Sequence, residues 1–264
     1  MRFLQILAIV LTQLSISSLL IVSLLSPTAI RQSFFQFHSL VCGLSAGLAL
    51  LITGFVAAGM SWDVRFLALT IFGVVLGYVA FRFERPQIGR FCMIVAGLIG
   101  VVFGLMPLAG RTMALWGVRT KAMEFFDGSF LLGAALIGTT FVSLTLAYWY
   151  QAMRRPLINY LLWLVEAMLV AAGLRIILLV TTLLLLRTSD PQLAEDLIAA
   201  LWTNNTGILL FTVRVGAGLV VPLLAGLLAL QRIREEDYER ATRVLVVAEV
   251  CVLAGECCAV HLLI

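Results

Sequence analysis

The sequence predicts an all-α integral membrane protein: one bundle of eight transmembrane helices, spanning residues 1–264, with no soluble domain. Three observations lead there. Apolar residues fill 62% of the 264 positions and charged residues only 12%, with a mean hydropathy of +1.09, which is more apolar surface than a soluble domain of this size uses. The apolar residues gather into eight runs, near 3–25, 36–59, 64–82, 91–109, 129–150, 157–186, 207–231 and 243–264. A spanning helix needs about 20 such residues. The runs are unbroken, whereas a barrel strand alternates polar and apolar positions over about ten residues.

The first run opens on Arg2 and is followed by Ser26-Pro27-Thr28-Ala29, the outline of a signal peptide. Its apolar stretch exceeds the ~7–15 residues of a signal core, so it reads as the first membrane helix. The second run carries Gly43, Gly47 and Gly54, and the fourth carries Gly97, Gly100 and Gly104. Small residues at such spacing let membrane helices approach closely. The fifth ends in Tyr148-Trp149-Tyr150, followed by Arg154 and Arg155, the pattern of an aromatic belt with a positive anchor. In the seventh, Gly216 and Gly218 lie between Arg214 and Pro222. Pro222 is expected to free a carbonyl one turn back and kink the helix just inward of the arginine.

Orientation follows from lysine and arginine in the short loops. Arg31, Arg82, Arg85, Arg90, Arg154, Arg155, Arg232, Arg234, Arg240 and Arg243 share one side, and Arg2, Arg65, Arg111, Arg119, Lys121 and Arg187 the other. The richer side is cytoplasmic, which puts both termini outside. The net charge of +4 is the charge expected at lipid headgroups and asks for no nucleic acid. The two longest connections, 110–128 and 188–206, are the candidate docking surfaces. The first mixes aromatic and charged residues as interfaces do. The second opens on Ser189-Asp190-Pro191, a helix start, and continues amphipathically through Glu195, Asp196, Leu197 and Trp202.

Function is sought in the ionisable residues inside the runs: Glu166, Arg175, Arg214, Glu249 and Glu256. A charge at that depth costs a few kcal/mol and marks a site by default. At ~1.5 Å per residue, Arg175, Arg214 and Glu256 fall at comparable depth in the outer half, and Glu166 and Glu249 in the inner half. The expectation is that Arg214 pairs with Glu256, with Arg175 nearby, lining a polar pocket open to the outer leaflet. The alternative is a set of buried ion pairs that only lock helices together. Glu249 and Glu256 share one helix face, being seven residues apart. With Glu166 they form a candidate carboxyl ladder for protons; the alternative is three unconnected, locally hydrogen-bonded acids.

The remaining residue types exclude other chemistry. His38 and His261 lie in runs that place them at opposite faces, so they cannot jointly ligate a haem. His261 is a candidate proton acceptor at the outer pocket, or simply a solvated helix end. Cys42, Cys92, Cys251, Cys257 and Cys258 sit in apolar runs without Cys-x-x-Cys spacing, so neither a disulfide framework nor an iron–sulfur cluster is expected. No metal site, phosphate loop, dinucleotide fingerprint or hydrolase elbow appears.

The segments Arg214-Val-Gly-Ala-Gly-Leu-Val-Val-Pro222 and Val252-Leu-Ala-Gly-Glu256 resemble the final two helices of the NrfD-type membrane anchors of polysulfide and dimethyl sulfoxide reductases. The fifth run is also similar to bacterial multispan proteins with a Gly-His-Trp-Tyr signature, although Ala147 and Tyr148 stand where that Gly and His would be. The first resemblance implies a non-haem, eight-span subunit of a respiratory redox complex in a bacterial inner membrane, with periplasmic termini. It further implies menaquinone or ubiquinone as the ligand, and a partner bearing iron–sulfur or haem centres docked on 110–128 and 188–206. It implies that Arg214 and Glu256 border the quinol site; Glu256 and His261 are then the candidate proton acceptors, and Arg175 and Arg214 hold the quinol oxygens or the carboxylate. Two other readings stay open: an ion- or proton-coupled secondary transporter, which calls for broken helices and pseudo-symmetric halves, neither of which is evident in the sequence, and a purely structural membrane subunit.

Overall fold

A computed structural model describes residues 2–56, 61–106, 122–153, 158–189, 191–192, 195 and 205–263. Eight helices long and apolar enough to cross a membrane are present among them. They are α1 (Arg2–Leu24), α2 (Gln32–Val56), α3 (Ser61–Arg82), α4 (Pro86–Ile99, continuing as a π-helical turn Gly100–Leu105), α5 (Ala122–Met153), α6 (Ile158–Ser189), α7 and α8 (Tyr238–Leu263). Helix α7 begins as Asn205–Thr212, widens into a π-helix over Val213–Val220 and resumes as Val221–Arg234.

The helices overrun the apolar runs because a run marks only the hydrocarbon crossing. Helix α4 starts at Pro86, whose missing N–H and fixed φ suit a first turn, and α8 starts in the charged stretch before Arg243. At Pro222, where a kink is expected, the helix type changes from π to α. A proline cannot donate and crowds the carbonyl four residues back; the backbone answers with wider π-helical turns that end just before it.

Contacts divide the bundle into two closed rings of four: α1 to α4, and α5 to α8, each with its fourth helix packed back on its first. The rings join mainly through α1 on α5, with α8 also touching α1. These central helices are the buried ones: 78% of the α1 span and 67% of the α5 span is covered, against 28–33% for α2, α3, α4, α6 and α7. The lipid-facing helices therefore offer apolar side chains outward, among them Leu44, Phe72, Phe91 and Ile177. Between the rings, His38 of α2 donates from Nδ1 to the Phe34 carbonyl oxygen at 2.9 Å, and its Nε2 meets the Thr145 hydroxyl of α5 at 2.8 Å. His38, expected near one membrane face, is fully buried between the rings, wedged among Phe34, Phe37 and Phe141. Of the expected belt, Tyr148 is exposed, but Trp149 packs edge-on against Phe34 and Tyr150 stacks on Tyr238.

The rings also share a turn. Glu84 (φ 57°) and Glu236 (φ 60°) both adopt the left-handed conformation. The next amide closes back five residues, Arg85 N–H to Ala80 at 2.9 Å and Asp237 N–H to Arg232 at 2.9 Å. Each turn joins the third helix of its ring to the fourth. Counted from these turns, Gly97 and Gly104 stand in α4 where Glu249 and Glu256 stand in α8. The two halves have the same order of helices, with the buried acids confined to the second.

Candidate functional site

The site is built where α5, α6, α7 and α8 meet. Gly218 in the π-helical stretch of α7 and Gly255 of α8 touch backbone to backbone, so that a Cβ on Gly218 would lie 2.8 Å from the Gly255 Cα. Only glycine permits that approach. It draws Arg214, four residues before Gly218, toward Glu256, the residue after Gly255.

The carboxylate has a partner the sequence did not assign first. Arg175 of α6 forms the ion pair, through Nη1 to Glu256 Oε1, with both side chains buried. Arg214 is half-buried, lines the same cavity and is close enough to Arg175 for the two like charges to repel. The ion pair with Glu256 is thus made by Arg175, the residue expected only to lie nearby, and Arg214 lines the same cavity. The physical reason is on α5: Gly133 leaves a flat floor on which the pair lies. A Cβ there would come within 2.8 Å of both Glu256 carboxylate oxygens and 2.9 Å of Arg175 Nη2.

Ser129, Phe130, Arg175, Arg214, Glu256, Ala259 and Val260 line a concavity of about 240 Å³ counted out to its open mouth. The free space within it that can hold a guest is about 10 Å³, the room of one water. Gln13 of α1, fully buried, points its amide at the Phe130 carbonyl oxygen at 3.4 Å and leaves its own Oε1 without a donor. The guanidiniums can donate to an oxygen-bearing guest and the carboxylate can accept from its hydroxyl, with the phenyl ring as apolar wall. A six-membered ring does not fit in the free space.

Not every expected residue joins this site. Glu249 is buried on α8 beside Thr140 of α5. The Thr140 hydroxyl donates to the Leu136 carbonyl oxygen, and neither Glu249 carboxyl oxygen receives a hydrogen bond. Glu166 is exposed on the outer surface of α6, so the three-carboxyl ladder loses its inner rung. His261 is exposed at the end of α8, next to the lining residues Ala259 and Val260 but not among them. The proposed docking surface 110–128 falls outside the described residues except for 122–128, as does 188–206 except for 188–189, 191–192, 195 and 205–206.

Gly133, Gly255 and Gln13 are the site residues that sequence reasoning missed. Each reads as an ordinary small or polar residue of an apolar run. The available signal was Gly255 immediately before the buried Glu256. Among the described residues no three His, Cys, Asp or Glu side chains gather as a metal site would require. No protein-family model matches the chain, and neither a curated protein nor a solved structure matches it.

Proposed function

We propose that this chain is a non-haem integral membrane subunit of a bacterial redox complex that binds quinone or quinol at the mouth of the Arg175–Arg214–Glu256 concavity, near the outer leaflet of the inner membrane. The observation that carries this reading is the lining itself. Arg175 and Arg214 bring hydrogen-bond donors for an electron-rich oxygen to the lining, and Phe130, Ala259 and Val260 supply apolar wall. The small free space confines the contact to one edge of the ring. The oxygen on that edge meets Arg214, the half-buried member of the cluster, while Arg175 keeps Glu256 ionised and oriented. Glu256 is the group that takes a proton from a bound hydroxyl, with His261 at the helix end as the exit to water. Electrons pass to a metal centre on a partner subunit.

A second reading draws on the same small space. A water-sized space around a buried pair is also what a structural lock between α5, α6 and α8 leaves behind. Photoaffinity labelling with an azido-quinone in lipid nanodiscs separates the two. The quinone reading expects label on α5, α7 and α8 near Phe130, Arg214 and Val260, displaced by excess unlabelled menaquinol or ubiquinol and weakened by Arg214→Gln. Label spread evenly over the lipid-facing helices and indifferent to competitor overturns it and leaves the lock.

A further inference from the structure

The turns that join third helix to fourth are alike in backbone and unlike in charge. Residues 82–91 of the first ring stand in register with 234–243 of the second, Glu84 on Glu236. The second-ring stretch holds three arginines and four acids, whereas the first-ring stretch holds Arg82, Arg85 and Arg90 against the single acid Glu84. Around the second turn the charges are spent on one another: Arg232 on Glu235 at 2.6 Å, Arg240 on Asp237 at 3.2 Å and Arg243 on Glu239 at 2.9 Å. Arg82 and Arg85 are exposed and join no ion pair among the described residues.

Two further arginines are held at the same rim. Arg90 donates from Nε to the Ser23 carbonyl oxygen near the end of α1 at 2.8 Å, which uses one of its five N–H donors. Arg31 is exposed in the adjoining turn, and Phe35, one helical turn after it, stacks at 5.1 Å on Phe81, the neighbour of Arg82. Arg85 is also the N-cap of α4 and offers that helix no side-chain acceptor, which leaves the amides of its first turn open to an anion.

The apolar residues of the stretch say which anion fits. Phe83 and Phe91 are 73% and 66% exposed and Ile88 48%, where the register puts Glu235, Arg243 and Arg240 in the second ring. Free phosphate or a soluble acidic protein leaves these side chains in water. An anionic phospholipid covers them with its glycerol and acyl region while its phosphate meets the guanidiniums. We infer that the α3–α4 turn, with Arg31 beside it, is a binding site for an anionic phospholipid, and that the α7–α8 turn is not. The site lies at the other end of the bundle from the concavity, since α8 runs from its turn at Tyr238 to the lining residues Ala259 and Val260. It does not depend on the quinone reading.

Native mass spectrometry of the full chain in detergent, titrated with phosphatidylglycerol, phosphatidylcholine, inorganic phosphate or polyglutamate, tests it. Phosphatidylglycerol is expected to be retained at lower concentration than phosphatidylcholine. Arg82→Gln/Arg85→Gln should weaken that retention about tenfold or more, and Arg234→Gln/Arg240→Gln should leave it unchanged. All four side chains are exposed, so both variants fold, which matched melting midpoints check. Equal retention of the two lipids, or equal loss from both double variants, overturns the site. Inorganic phosphate or polyglutamate that displaces phosphatidylglycerol at equal concentration overturns the lipid, leaving a free-anion site in the first case and a protein surface in the second.

Discussion

Gly218 and Gly255 meet backbone to backbone at the crossing of α7 and α8, immediately beside the two charged residues those helices carry into the membrane, Arg214 and Glu256. The closeness of the cluster is therefore set by two residues that have no side chains.

Replacing Gly255 by Ala forces the helices apart at their tightest point, because the added methyl meets backbone that cannot rotate away. Overpacking of this kind costs about 1–3 kcal/mol. The expected result is a lowered thermal midpoint in detergent. Gly216→Ala is the control, since a Cβ there meets nothing within 4 Å. Equal midpoints for the two variants would show that the crossing is not a tight one.

The Arg175–Glu256 pair predicts strong non-additivity. Glu256→Leu alone strands a buried guanidinium, and Arg175→Met alone strands a buried carboxylate; breaking a buried pair from one side costs about 3–5 kcal/mol. The double variant removes both charges and is expected to recover most of that loss. Chemical denaturation of the four proteins in the cycle measures it. Single losses that simply add in the double variant would mean that the two side chains act separately.

The eight crossings were legible because hydrocarbon thickness acts directly on sequence: a run of about 20 apolar residues has few other uses. Their ends were not. The first turns of α5 contain Glu124 and Asp127, and charged residues at a membrane surface belong equally to a helix end and to a loop. The buried residues of the cluster were also legible, since Arg175 and Glu256 are ionisable groups inside apolar runs. That Arg175 makes the ion pair with Glu256 was not, because depth follows from counting residues whereas the azimuth of each helix follows from packing. Gly133 shows this well. Its value lies entirely in what it leaves uncovered on α5, and nothing in its own run marks it. Glu166 fails for the same reason in reverse: its depth was computed, but its face on α6 was set by neighbours.

Outside the membrane, the turn after α7 predicts a weak acid sensitivity. Glu235 accepts from Gln231 at 2.9 Å and from Arg232 at 2.6 Å, and these two hydrogen bonds hold its carboxyl below the usual glutamate range. A lowered folded value means that the contribution is present above the unfolded value, about 4, and fades as pH falls through the folded one. Full exposure keeps it small. Melting curves of the parent and Glu235→Gln are expected to differ slightly at neutral pH and to converge in acid. A gap that widens on acidification would reverse the sign and remove the hydrogen bonds as its cause.

The paired left-handed turns give the last expectation, and its sign rests on two opposing terms. Glu84 and Glu236 hold φ of 57° and 60°, a conformation that costs an L-residue about 1–2 kcal/mol and glycine nothing. Glycine at this position after a helix is the common solution, but it also gives the unfolded chain freedom worth roughly 0.5–1 kcal/mol. The difference favours the folded state by about 0.5–1 kcal/mol for Glu236→Gly. Glu84→Gly should gain a similar amount. The turns sit in different rings, so the double variant is expected to show the sum. Thermal midpoints that fall in either single variant would mean that the glutamate side chain contributes more than its backbone conformation costs.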